Sequence, residues 1–154
     1  MARISQRAMN NVVIIAMLVM IALFNLDSLL PKPDVSSLRT LLPQEAYVLK
    51  IEQDNNSLSR SGQQWRQSTQ HTTPSVNPQR QFSEWQRAQL EPTSSVPAEI
   101  SSSQPYVVVV WVAGSATGLV YALYPNTTPT VVKFENNWYT LTNAELDVLL
   151  PWNL

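Results

Sequence analysis

Cysteine is absent from the 154 residues, histidine occurs once and glycine three times. The lack of cysteine excludes disulfides, thiol nucleophiles and every cysteine-based zinc or iron–sulfur site. The single histidine, His71 in QSTQHTTPS, reads as a solvated loop residue. No second His or Cys completes a metal site around it, and no Ser-His-acid set has a frame. Gly114-Ser115-Ala116-Thr117-Gly118 is not a phosphate loop, because it lacks the Lys-Ser/Thr ending and falls between two predicted strands. Charge is also sparse, at 14% of residues. Ten Lys and Arg stand against eleven Asp and Glu, and two of the cations, Arg3 and Arg7, precede an apolar run, leaving eight against eleven from Asp27 onward. A net negative remainder argues against nucleic acid as a partner and against charge-driven adhesion to anionic lipid. Ser, Thr, Gln and Asn take the place of charge, which fits an exported bacterial domain.

The run VVIIAMLVMIALF, Val12 to Phe24, is uninterrupted apolar sequence, and Asn25 to Leu30 extends it with partial polarity up to Pro31. Residues 12–30 approach the roughly 20 needed to cross a bilayer. The alternatives are a buried core helix and a cleaved signal peptide. Against cleavage, no small-x-small site follows the run. Arg3 and Arg7 before the span and Asp27 after it place the N-terminus in the cytoplasm by the positive-inside rule. The expected organisation is therefore a stub and anchor over 1–30, a juxtamembrane spacer over 31–45 opened by Pro31-Lys32-Pro33, and a periplasmic α+β domain over 46–154, with the bacterial inner membrane as location.

Within that domain, Tyr47, Leu49 and Ile51 alternate with Val48, Lys50 and Glu52, the period-two pattern of a half-buried strand. Asp54-Asn55-Asn56 turns the chain into a polar return strand, Ser57 to Arg60, and Ser61-Gly62-Gln63 turns it again into a short strand around Trp65. Asn77-Pro78 is a helix start, and Gln79 to Leu90 carries Phe82 and Trp85 at helical spacing. The stretch 91–105, EPTSSVPAEISSSQP, has three prolines and five serines and reads as a connector or mobile loop. YVVVVWVAG, Tyr106 to Gly114, does not alternate, which predicts a central strand with both faces covered. Strands follow over Leu119–Tyr124, around Val132 and Phe134, and over Trp138–Leu141, with Asn136-Asn137 as the hairpin turn. Thr142 and Glu145 match a capping box for a short helix from Asn143 to about Leu150, which Pro151 discourages from continuing. The fold class is α+β, an N-terminal transmembrane helix followed by a mostly antiparallel sheet with two short helices.

VLKIEQDNNSLSRSGQQWRQ with QFSEWQRAQL, and VVKFENNWYTL with AELDVLL, share an order of strand, turn, Trp-bearing strand and helix. This is either a duplication or two uses of a common unit. Leu41-Leu42-Pro43, Ile51-Glu52, Gly62 to Trp65, and Ala144 to Leu150 loosely resemble the bacterial membrane-anchored proteins grouped as DUF4340, over about half of the exported region. The departures are the two residues between Gly62 and Trp65, the absence of a Gly before Trp138, and a shorter chain. The resemblance implies an extracytoplasmic module and carries over no catalytic residue.

Six carboxylates, Glu52, Asp54, Glu84, Glu135, Glu145 and Asp147, are the candidates for paired-carboxylate hydrolysis. Each also has an ordinary explanation as a strand exterior, turn, helix surface or cap. With no catalytic constellation the chain is expected not to be an enzyme and to need no cofactor or metal. The expectation is an accessory or assembly component of an envelope complex that binds other envelope proteins, with a small-molecule or glycan-binding sensory domain as the alternative. The candidate partner-binding residues are whichever of Trp138 and Tyr139 faces away from the core, and Trp152 near the C-terminus, where exposure is expected.

Overall fold

A computed structural model of the chain describes residues 5–25, 38–70 and 73–153. The chain divides into two compact units between Asp34 and Val35. In the first, helix α1 spans Gln6–Phe24. Its start is capped by Ser5, whose hydroxyl accepts from the Ala8 N–H at 3.2 Å. At its end, the backbone N–H and the side-chain amide of Asn25 both donate to the Ile21 carbonyl. A helix with no buried side chain, long and apolar enough to cross a membrane, has its greasy surface unmatched by protein. It begins six residues before the expected span and takes in Arg7, Asn10 and Asn11. Residues 26–30, with Asp27, lie outside the described residues, as do Arg3 and His71.

The second unit is a nine-stranded sheet, antiparallel throughout. Its strands are β1 (Arg39–Thr40), β2 (Val48–Gln53), β3 (Asn56–Ser61), β4 (Gln64–Ser68), β5 (Gln89–Pro92), β6 (Tyr106–Val112), β7 (Leu119–Tyr124), β8 (Val131–Phe134) and β9 (Asn137–Thr142). The order across the sheet is β1-β5-β9-β8-β7-β6-β2-β3-β4. The α+β class read from the sequence is what the structure shows, with two short helices, α2 (Pro78–Arg87) and α3 (Leu146–Leu149).

Most elements form for the reasons visible in the sequence. Asn77 caps α2 by accepting from the Gln79 N–H at 2.8 Å, and Pro78 follows at the first helical position. The β8–β9 turn uses positive φ at Glu135 (52°) and Asn136 (95°), one residue earlier than the expected Asn136-Asn137. Asn137 already belongs to β9 and pairs with Phe134. The helix α2 ends at Arg87 rather than Leu90, because Gln89–Pro92 leaves it to pair with β9 on one side and β1 on the other. The expected connector over 91–105 is therefore partly ordered: its first two residues complete β5, and Ala98–Ser102 forms a 3-10 turn that buries Ile100.

One face of the sheet carries the main core. Ile51, Leu58, Leu90, Val108, Val110, Tyr121, Leu123, Val132 and Tyr139 point into it beneath Phe82 and Trp85 of α2 and Leu149 of α3. Each such aliphatic side chain contributes about 1.5–3 kcal/mol by leaving water. The short helix α3 could not persist alone, since nucleation outweighs four residues of propagation, and α2 holds it at both ends. A carboxylate oxygen of Glu84 accepts from the Glu145 N–H at 2.9 Å at the start, where anionic charge is favoured. At the other end the Leu149 carbonyl accepts from Gln81 Nε2 at 2.8 Å and Trp85 Nε1 at 3.0 Å. The expected Thr142–Glu145 capping box does not form. Thr142 belongs to β9 and Asn143 takes φ 56°, so the chain enters α3 at Leu146 with its N-terminal donor satisfied from another helix.

Candidate interaction surface

The opposite face of the sheet is covered only in part. At one end Ile100, from the 3-10 turn, packs with Tyr124 and Val131, and Ala122 and Trp138 lean against that small cluster. In the centre, β6 and β7 carry apolar side chains into solvent: Val107 is 49% exposed, Trp111 37% and Val120 51%. The expectation that β6 is central is met, since it lies between β7 and β2. Among the described residues no element supplies its expected second cover, and its apolar outer row is left half-open. An antiparallel sheet normally alternates apolar-in with polar-out when one face meets water, and β3 does so with Ser57 and Ser59 outward from Leu58. The β6–β7 pair breaks that rule.

The register places the surface residues in levels. Lys50 and Trp111 share one level; Glu52, Val109 and Val120 the next; Val107, Ala122, Lys133 and Trp138 the third. Trp111 is held by its indole N–H, which donates to Glu52 Oε1 at 2.8 Å, while the other carboxylate oxygen of Glu52 pairs with Lys50. The bond from Lys50 and then that from Trp111 keep the Glu52 carboxyl below the usual carboxylate range. Across the patch, the Lys133 ammonium lies 5.4 Å from the centre of the Trp138 ring. Gly118 is required by this packing: a Cβ there would run into Cγ1 of Val109 and touch the Trp111 ring at 3.5 Å. Val109 and Trp111 thus lean over Gly118, while Val120 on β7 stands as open to solvent as Val107 on β6.

The three aromatic residues singled out in the sequence occupy different environments. Trp138 and Tyr139 do face opposite sides of β9. Tyr139, 4% exposed, belongs to the main core. Trp138 is half-buried on the other face, 5.6 Å from Tyr124 ring to ring, and lies at the margin of the open patch. The exposure expected of Trp152 is corrected by its 6% accessibility. Its indole N–H donates to Gln53 Oε1 at 2.9 Å, and Asn153 bonds the same buried glutamine, so Pro151–Asn153 forms a 3-10 turn that closes the core. The residues that sequence reasoning missed are Val107, Val109, Trp111, Gly118 and Val120. The available signal was the unbroken apolar run of β6, whose second face needs a cover that the rest of the sequence does not obviously supply.

The six candidate carboxylates serve other roles or lie in turns. Glu52 anchors Trp111; Asp54 takes φ 52° in the β2–β3 turn; Glu135 forms the β8–β9 turn; Glu84 caps α3 and pairs with Arg87 at 2.6 Å; Glu145 and Asp147 open α3. Among the described residues no group of three or more His, Asp or Glu side chains could hold a metal ion. A concavity of about 200 Å³ lies between α2 and the chain from Thr40 to Val48, smaller than the roughly 300–1,000 Å³ of most small-molecule sites. An open groove runs beside β4, bounded by Trp65, Gln67, Pro74 and Pro78. Comparisons with protein-family models, with curated proteins and with solved structures each return no match for this chain.

Proposed function

We propose that the protein is a single-pass inner-membrane component of a bacterial envelope complex, whose C-terminal α+β domain works in the periplasm by binding other proteins. The observation that carries this reading is the half-open apolar centre of the sheet on β6 and β7. Water-exposed Val107, Trp111 and Val120 have no purpose in a solvated exterior, whereas an apolar patch rimmed by Lys50, Glu52 and Lys133 has the composition of an interface centre and rim. The unburied apolar surface of α1 supports the anchor, and Arg7 at its first turn supports a cytoplasmic N-terminus. The loose resemblance to DUF4340 chains implies the same placement.

Co-purification from native membranes after gentle solubilisation tests the proposal. The wild-type chain is expected to bring down a reproducible protein partner, and a Val107→Asp/Val120→Asp chain that remains folded is expected to lose it. Recovery of both chains only as a lone monodisperse monomer would refute it.

A further inference from the structure

We infer that β4, the outer strand at one end of the sheet, takes up an extended acidic segment of a partner polypeptide as an added strand. The site is separated from the β6–β7 face by β2 and β3, so it is a second contact surface beyond the one already proposed.

The sheet ends in β1 on one side and β4 on the other. β1 has two residues and offers little to pair with, whereas β4 has five in unbroken register with β3, a span of about 17 Å. The two-residue turn Gly62-Gln63 makes Ser61 and Gln64 a hydrogen-bonded pair, and such pairs alternate along an antiparallel ladder. Arg66 and Ser68 therefore bond β3, and the N–H and C=O groups of Trp65 and Gln67 point outward. Among the described residues no strand meets them. Exposed edges are blunted by bulges, prolines, charged side chains or a covering element. β4 has neither bulge nor proline, and its guard is Arg66, which deters a cationic strand and admits an acidic one.

Beside this edge lies a groove of about 550 Å³, lined by Trp65, Gln67 and Ser68 on one side and by Thr73, Pro74 and Pro78 on the other. Its walls are fixed from within. Trp65 stacks on Phe82 with ring centres 3.9 Å apart, and the Gln67 amide donates to the Val76 carbonyl at 2.9 Å and to Gln81 Oε1 at 2.7 Å. The two prolines have no N–H, so neither competes for the outward carbonyls of β4. A formed groove along open backbone groups is what strand addition uses.

Charge selects the occupant. Residues 56–87, which build β3, β4 and α2, contain four arginines against one acid, Glu84, and Glu84 is already paired with Arg87. Residues 88–154 contain one lysine against five acids. Among the described residues Arg66 and Arg80 are exposed and neither is ion-paired. A second copy of the chain is disfavoured here, because the register that overlaps two β4 strands most fully is centred on Arg66 and sets two guanidinium groups side by side. An acidic strand meets the same arginine with opposite charge.

The test uses the full chain in detergent micelles and, as probe, a capped nonapeptide of alternating valine and glutamate. The controls are the same peptide with lysine in place of glutamate, and the acidic peptide N-methylated at every amide. Amide exchange followed by NMR reads the site. The acidic peptide is expected to slow exchange at Trp65 and Gln67 at least about tenfold, to leave Val107 and Val109 unchanged, and to bind at least roughly tenfold tighter than the lysine peptide. Arg66→Glu should shrink that preference at least about threefold while the circular dichroism spectrum stays that of the wild type. No slowing at Trp65 and Gln67 at millimolar peptide would overturn the inference. So would equal binding of the N-methylated peptide, which cannot add a strand. Equal binding of the lysine peptide, or a preference untouched by Arg66→Glu, would overturn the acidic partner. Slowing that grows with protein concentration and needs no peptide would make a second copy the occupant and overturn it too. Each of these failures would leave partner capture through the β6–β7 face standing.

Discussion

The doubly bonded carbonyl of Leu149 makes the coupling of the two helices to the sheet measurable. Replacing Trp85 with Phe removes one of the two donors to that oxygen and leaves the Gln81 amide in place at 2.8 Å. The carbonyl stays satisfied, so the lost bond costs about 1 kcal/mol. The vacated part of the indole leaves a cavity of roughly 40 Å³ in a fully buried site, worth about 1 kcal/mol more at ~24 cal/mol per Å³. The phenyl ring keeps much of the edge contact with Tyr121, whose ring centre is 6.3 Å from that of Trp85. Trp85→Phe should therefore destabilise by about 2 kcal/mol. Gln81→Leu removes the other donor and also the acceptor of Gln67, whose amide retains the Val76 carbonyl at 2.9 Å, so it should cost about 1–2 kcal/mol. In the double variant the Leu149 carbonyl is buried with neither donor, which adds about 1–3 kcal/mol beyond the sum of the two single costs. Urea unfolding of the full chain, followed by circular dichroism, reads these differences as shifts in midpoint at constant slope. Additivity to within about 0.5 kcal/mol would refute the shared-acceptor account.

Three further outcomes follow from the same geometry. Gly118→Ala should destabilise by about 1–3 kcal/mol through overlap with the stiff Val109 side chain, and Val109→Ala in the same chain should recover most of that loss; thermal melts of the four chains check this. Burial raises the Tyr121 hydroxyl pKa well above its ordinary value, against the opposing charge of Arg39, and the hydroxyl donates to the Leu41 carbonyl at 2.7 Å. Its stabilising contribution is complete below the unfolded value of about 10 and declines as pH rises above it, so alkaline midpoints should fall less steeply in Tyr121→Phe than in the wild type. Glu52 behaves in the opposite sense: its lowered pKa means its contribution is present above the unfolded value of about 4 and is lost as pH falls below it, and the Trp111 indole N–H resonance should shift over that acid range in the wild type but not in Glu52→Gln.

What the sequence made legible was local. The Asn77-Pro78 helix start, the β2–β3 and β8–β9 hairpins, and the strength of β6 depend on residues a few positions apart, and the structure places them within a residue or two. The strands β1 and β5 were invisible because two and four residues carry no period, and they exist through pairing with partners about fifty residues away, β1 with β5 and β5 with β9. The capping box failed for a related reason. Thr142 and Glu145 have the right identities, but Glu84, distant in sequence, reaches the same donor first. Trp152 looked free because it lies close to the terminus, yet Gln53, across the sheet, gives its indole an acceptor and draws it into the core. The open patch was half-legible: the apolar run of β6 shows a strand with two greasy faces, but only the fold reveals which face the helices leave uncovered.

The account depends on whether that face is covered where the protein works. Val107→Cys, the sole thiol in the chain, can be titrated with a maleimide in native membranes and again after detergent extraction and dilution. The central claim predicts slow labelling in the membrane and labelling at the rate of a free surface thiol once the complex is diluted apart. Equal and rapid labelling in both states would show that the apolar face of β6 and β7 stands open to water, and would contradict it.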